Sequence, residues 1–379
     1  MQGEKTIKKA EFIREIIEKQ GPIPFIRFME ICLYDEAIGY YSTGQHPVGK
    51  KGDFVTSPSS TSLFGALIAN QIREFRSILE IDHMTIVEMG AGSAILARDL
   101  LEHLDRKDGD RFRYVIVEPF DSMRSFQKSV LGPMAGRVTW VETLDDLTLS
   151  PDCFLSNELI DAFPVHVVQK SDTGFKELHV CLDEKGEFQE CLRDITDVTL
   201  QDYVSGMPMS LTVGYRTEVN TWMKTWIEKV ASLMHRGFII TIDYGYSARD
   251  FFHPARNRGT LLSYKDHAVL DNVLLNPGDQ DITAHVNFSD LDRWGKAVGL
   301  VTLGFAPQWS FLASLDFEET FYELSGGRFD PFSPMLAGVK MLILPQGMGE
   351  THKVLVQAKG MDAKTELKGF RMRNIRKKL

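Results

Sequence analysis

The sequence predicts an α/β fold, a mostly parallel and doubly wound sheet with helices on both faces. Three features predict it. From Met84 onward, short apolar runs alternate with amphipathic helical stretches. The first run passes through a turn containing two glycines straight into a helix, and the second ends in an acid, Glu118. Thr85-Ile86-Val87-Glu88-Met89 reads as a buried strand, followed by a helix from Ile95 to Leu104 with Leu96, Leu100 and Leu104 on one face. Tyr114 to Val117 is the second strand, with a helix over 121–131 after it. Val138–Val141 and Cys153–Leu155 are the third and fourth. A helix from Trp222 to Met234 leads into the fifth, Phe238–Ile242.

At 379 residues the chain has room for two compact units, or for one domain with large insertions. Residues 1–80 read as mainly helical, broken by a Gly- and Pro-containing loop from Gly39 to Pro58, and are expected to pack on and cap the core. Residues 81–360 form that core. Insertions at about 162–215 and 245–286 are expected to build a second subdomain at the carboxyl edge of the strands, where ligands of doubly wound sheets bind. The last nineteen residues, 361–379, carry seven Lys or Arg against Asp362 and Glu366, and read as a solvated basic tail.

Composition excludes several classes. Apolar residues at 43% and charged residues at 25% describe an ordinary globular chain. Forty-three Lys and Arg against 52 Asp and Glu give −9, which argues against nucleic acid as a partner. No stretch is apolar enough for a membrane span. Cys32, Cys153, Cys181 and Cys191 have neither CxxC nor zinc spacing and read as reduced thiols. His46, His253 and His267 also lack partners at metal spacing, so no metal is expected. The first twenty residues interleave Glu4, Glu11, Glu15 and Glu18 with the apolar positions of an amphipathic helix. That pattern is neither a signal peptide nor a presequence, and the expected compartment is a bacterial cytoplasm.

The chemistry concentrates in Val87-Glu88-Met89-Gly90-Ala91-Gly92-Ser93-Ala94-Ile95. Gly90 and Gly92 let the backbone turn sharply and approach a ligand, and the helix start offers free N–H groups. A dinucleotide site wants a third glycine where Ile95 stands, which disfavours a nicotinamide oxidoreductase. The GK[ST] ending of a phosphate loop is missing too. Glu88, Gly90 and Gly92 instead approximate E-x-G-x-G-x-G, with Ala94 in the place of the last glycine. Glu118, 26 positions after Gly92, is an acceptor suited to both hydroxyls of a ribose. Adenosine, a ribose and a small carboxylate together describe S-adenosylmethionine.

Several segments resemble one family, the MidA-like methyltransferases. They are 52–58 (Gly-Asp-Phe-Val-Thr-Ser-Pro) with Leu63-Phe64-Gly65, the glycine loop, and Asn157-Glu158-Leu159-Ile160-Asp161-Ala162-Phe163-Pro164-Val165. Asp243-Tyr244-Gly245, Gly259-Thr260-Leu261, the run from Asn276 to Phe288, and Gln308 before Phe311-Leu312 complete the series. Ser59 after Pro58 and Phe163 before Pro164 depart from the family pattern. The resemblance implies a class I methyltransferase fold with an added smaller, mainly helical domain, and methyl transfer from S-adenosyl-L-methionine. It also implies a protein acceptor, with arginine as the side chain and a complex I subunit as the model, since the mitochondrial member of the family methylates one.

Methyl transfer to a guanidinium needs carboxylates that grip the cation in a fork and aim one nitrogen. Glu158 and Asp161, directly after the fourth strand, are the candidates on one side. Asp281 is a candidate second carboxylate and His285 a candidate proton carrier on the other. Asn157 is expected at the cofactor end, and Asp53 and Phe54 in the loop that closes over the cofactor. Competing structural explanations are an Asn-Glu cap at 157–158 and an Asp-Ile-Thr turn at 281–283. The alternative function is an assembly factor that binds the cofactor with little or no turnover.

Overall fold

The computed structural model describes residues 2–43, 57–208, 210–265, 268–270, 272–328 and 330–379. Its centre is a sheet of seven strands, numbered here β1 (Met84–Met89), β2 (Phe112–Val117), β3 (Val138–Val141), β4 (Cys153–Asn157), β5 (Gly237–Tyr246), β6 (Val301–Pro307) and β7 (His352–Lys359). Their spatial order is β6-β7-β5-β4-β1-β2-β3, and a two-residue strand at Val286–Asn287 adds to the end of β5. β1 to β5 run parallel, while β7 is antiparallel to both β5 and β6. The five strands expected from their apolar runs are present, and β1, β4 and β5 read as continuous apolar runs because they are buried on both faces.

Each face of the sheet carries its own core. On one side Leu63–Leu79 and Ile95–Asp108 cover the strands, with Leu67, Phe75, Leu100 and Leu104 fully buried and the Phe75 and Phe238 rings stacked at 3.9 Å. On the other, Thr221–Leu233 and Phe288–Ala297 place Trp226, Ile227, Leu291 and Trp294 against Phe154, Ile239 and Leu355. Both helices of this second layer start with an Asn that caps them, Asn220 and Asn287.

The smaller unit departs from the expected mainly helical character. An antiparallel sheet organises it, with His166–Ser171, Gly174–Leu182, Phe188–Arg193 and Arg216–Val219, plus Ile23–Pro24 at one edge. Residues 165–169 and 177–182, where apolar and polar side chains alternate, fall largely within two of its strands. The helices Gln2–Gln20 and Phe25–Tyr34 lie on this sheet, where Ile13, Ile17, Phe28 and Leu33 share a core with Val167, Leu178, Val180 and Ile282. Lys9 reinforces the join, 2.7 Å from the Asp279 carboxylate and 2.9 Å from the Gly278 carbonyl. Within residues 1–80, therefore, the first two helices share the inserted unit's core, and Leu63–Leu79 packs on the central sheet.

The C-terminal segment is also different from the solvated tail expected of it. Leu367 and Phe370 are buried in the main core, and Phe370 packs at 5.1 Å from the Phe311 ring. The Arg376 guanidinium donates to the Thr302 and Leu303 carbonyls of β6. Two apolar anchors outweigh the charge of the segment.

Candidate active site

The register of the sheet gathers the functional residues. Ile242 lies opposite Asn157, so β4 ends beside the middle of β5, and the Glu158 N–H donates to the Ile242 carbonyl at 2.9 Å. A cleft of about 810 Å³ opens at this edge. Its walls include Glu88, the glycine turn, Glu118, Asn157, Glu158 and Trp226.

On the cofactor side, Gly90 has φ +76 and Gly92 φ +49, both left-handed. A Cβ on Gly90 would stand 2.8 Å from Cδ1 of Leu159. Ala94 adopts φ +60, which explains why glycine suits that position of the pattern. Glu88 is buried, accepts the Tyr114 hydroxyl at 2.8 Å, and is pushed by burial up to about 7. Glu118 directly follows β2, and burial raises its carboxyl above the usual range. Asn157 donates through Nδ2 to Glu158 at 3.2 Å, while its buried Oδ1 has no partner. Asp53 and Phe54 lie outside the described residues.

Gln127 escapes a reading of the sequence. Its Nε2 donates both to the Gly92 carbonyl, at 3.1 Å, and to Glu118 Oε2, at 3.0 Å. Trp140 Nε1 holds its other end at 2.9 Å. One buried amide thus fixes the glycine turn relative to the acid. A polar residue among apolar positions of the 121–131 helix is the available signal.

On the acceptor side, Glu158 sits at φ +50, a conformation non-glycine residues rarely adopt, and its Oε1 accepts the Ser57 N–H at 3.1 Å. Asp161 is buried, and its Oδ1 has no hydrogen-bond partner. Burial, opposed by a hydrogen bond from Tyr244 and supported by the Glu158 charge, pushes Asp161 up to about 7. His285 packs edge-on against Tyr244 at 5.1 Å, and burial lowers it to about 4. Asp281 is reached by the Tyr41 hydroxyl at 2.8 Å, and Tyr41 also lines the cleft. Glu158 thus faces the cleft, whereas Asp161, Asp281 and His285 stand in a layer behind it, grouped about Tyr244 and Tyr41.

Two further residues complete that layer. Asp243 is fully buried and accepts from the backbone N–H groups of Ile160, Asp161 and Tyr244. Burial first, then Asp161 and Glu158, raise its carboxyl well above the ordinary range. His352, on β7, brings Nε2 to 3.8 Å from Glu158 and its ring to 5.5 Å from Tyr244. The Gly259-Thr260 pair supports the layer from outside. Glu218 accepts from the Thr260 N–H and Oγ1, and Thr260 Oγ1 accepts the backbone N–H of His285 at 3.1 Å. A Cβ at Gly259 would collide with Glu218. Among the described residues no group of His, Cys, Asp or Glu is placed to hold a metal ion, and no helix is long and apolar enough to cross a membrane.

Two left-handed glycines at a strand-to-helix turn, a buried acid at the end of the neighbouring strand and an unpartnered Asn157 oxygen suit a ligand with a ribose diol and a polar amino-acid end. A family model of S-adenosyl-L-methionine-dependent methyltransferases matches residues 67–306. The chain belongs to this family. The methyltransferase is 28% identical to the Caenorhabditis elegans homolog of protein arginine methyltransferase NDUFAF7, mitochondrial, over 83% of this chain and 78% of the relative. It is 26% identical to the Homo sapiens protein of that name, over 88% and 79%. Its fold matches a Burkholderia thailandensis structure, described as a likely methyl transferase of the COG1565 superfamily and solved bound to S-adenosyl-homocysteine, with a TM-score of 0.89. That match has 29% identity and covers 99% of this chain and 97% of the other. The central sheet is the class I methyltransferase fold expected from the sequence, and S-adenosyl-L-methionine is the cofactor.

Proposed function

We propose that this methyltransferase modifies an arginine side chain of a protein, with Glu158 at the cleft wall gripping the guanidinium and Asp161 adding a buried acid directly behind it. One observation carries the reading: Asp161 presents a buried carboxylate oxygen without a partner, and neither Asp161 nor Asp243 pairs with a Lys or Arg among the described residues. Buried carboxylates without a counter-charge are costly, and an incoming planar cation with forked donors relieves that cost. The arginine methyltransferase names of relatives at 26–28% identity support the same acceptor.

On this reading Glu118 takes the ribose hydroxyls, Gly90 and Gly92 give the backbone its close approach, and Asn157 Oδ1 accepts from the amino-acid end. Glu88, through Tyr114, holds β1 against β2 beneath them. The cofactor supplies a methyl group already activated on a sulfonium sulfur. The chain's own residues then position and dehydrate the acceptor nitrogen. Good alignment of this kind contributes on the order of 7–11 kcal/mol. Glu158, the carboxylate that faces the cleft, receives the one proton that the nitrogen loses once it carries the methyl group, with Asp161 and Asp281 as buried acceptors behind it. His285, held neutral by burial, passes that proton outward.

The test is incubation of the purified protein and labelled cofactor with a cell lysate lacking the enzyme, followed by mass spectrometry of labelled proteins. Methylarginine at a defined position is expected, with a respiratory complex I subunit the first acceptor to try. Label confined to lysine, to a terminus or to small molecules would remove arginine from the proposal.

A further inference from the structure

A second cavity of about 410 Å³ lies beside the carboxyl ends of β5 and β6, bordered by Tyr246, Arg256, Lys353, Arg373 and Lys378. Strand alternation separates it from the acceptor layer: His352 turns toward Glu158, and its neighbour Lys353 lines this cavity instead. The docked C-terminal segment supplies Arg373 and Lys378, which gives the basic run at the chain's end a place in the fold. Four Lys or Arg side chains meet two acids here, Asp250 and Glu350. Glu350 is already engaged, 2.7 Å from Trp309 Nε1 and 3.5 Å from Arg373. Lys353 Nζ and Arg256 donate only to backbone carbonyls, those of Glu350 and Asp250, and the Arg256 guanidinium lies over the Tyr246 ring at 3.7 Å. Lys353, Arg256 and Lys378 form no ion pair with a carboxylate among the described residues. Burial of Lys353 lowers it to about 8, against the opposing pull of Glu350 and Asp250.

We infer that this cavity is a binding site for a phosphate-type dianion, either free phosphate or the phosphate group of a small monoester. Two charges of excess cation match two negative charges on the ligand, and the Arg256 and Arg373 forks suit its oxygens. The site is separate from the methyl-transfer cleft and does not depend on which side chain the enzyme methylates.

Equilibrium dialysis with radiolabelled inorganic phosphate, at constant ionic strength, tests it on the full-length protein, with a labelled sugar phosphate as the second arm. One equivalent per chain is expected, with Lys353→Gln and Arg256→Gln each weakening binding about tenfold. Tighter binding of the sugar phosphate would assign the site to a monoester, and equal or weaker binding to free phosphate. S-adenosyl-homocysteine binding serves as the folding control and stays unchanged in both variants. Arg256 lies on a surface turn, so its variant keeps the test open if Lys353→Gln fails to fold. Absence of saturable binding, equal competition by acetate, or full binding in both variants would overturn the assignment.

Discussion

Gln127 Nε2 lies 3.0 Å from Glu118 Oε2, and this contact couples the proposed ribose acceptor to the turn that shapes the other wall of the cleft. Replacing Gln127 by Leu keeps the bulk but frees Glu118 and the Gly92 carbonyl. Loss of one charge-assisted hydrogen bond is worth about 1.5–3 kcal/mol. The affinity for S-adenosyl-homocysteine is expected to fall at least tenfold by calorimetry. In a double-mutant cycle with Glu118→Gln the two effects should be clearly less than additive, whereas strict additivity would mean that the two residues act separately.

Gly90→Ala places a Cβ near Leu159 and forces a left-handed φ on a residue with a side chain. The backbone penalty alone is about 1–2 kcal/mol. A matching loss should appear in urea unfolding, together with weakened cofactor binding. Adding Leu159→Ala removes only the steric part, so a double variant as stable as Leu159→Ala alone would contradict the backbone argument.

Asp161 titrates near 7 in the folded protein, against an ordinary value of 3.8. Its folded value is raised, so the fold favours the protonated acid. Its contribution is fully present below about 4 and is lost as pH rises toward 7. Asp161→Asn carries no such dependence. The melting temperature of the variant should therefore exceed that of the wild type at pH 8 and converge with it near pH 4. Methyl transfer by the variant should drop by two or more orders of magnitude, and wild-type kcat/KM should rise with pH to a plateau above about 7. A variant that is no more stable at pH 8 than at pH 4, relative to wild type, would be evidence against the raised value.

Phe370 belongs to the core despite its place in a basic segment. Gly304 of β6 makes room for it, since a Cβ there would enter the ring. Phe370→Ala should cost about 3–5 kcal/mol in urea unfolding. A change within 0.5 kcal/mol would show that the C-terminal segment is dispensable for stability.

The parallel strands and the glycine turn are legible because both are local: apolar runs set one, and neighbouring small residues set the other. Glu118 can be found since it directly follows the next strand. Gln127, Asp243 and His352 cannot, because each acquires its role from a partner 9 to about 200 positions away in the chain. The inserted sheet is hidden for a similar reason. Its strands alternate well enough, but Ile23–Pro24 supplies an edge from the far end of the sequence. The tail misleads because counting charges overlooks Leu367 and Phe370.

The position of β7 has a consequence for biosynthesis. Strand β7 is made after both of its neighbours, β5 and β6, and lies between them, and the helices Gln2–Gln20 and Phe25–Tyr34 wait for partners beyond residue 160. The smaller unit has its core complete by Ala284, whereas the central sheet waits for β7. Strand β5 keeps an unpaired edge until residue 359 has cleared the exit tunnel, so a stalled or truncated product is prone to self-association. Until β7 is in place, that edge can accept a strand from another copy of the chain, and pairing within the chain competes with pairing between chains.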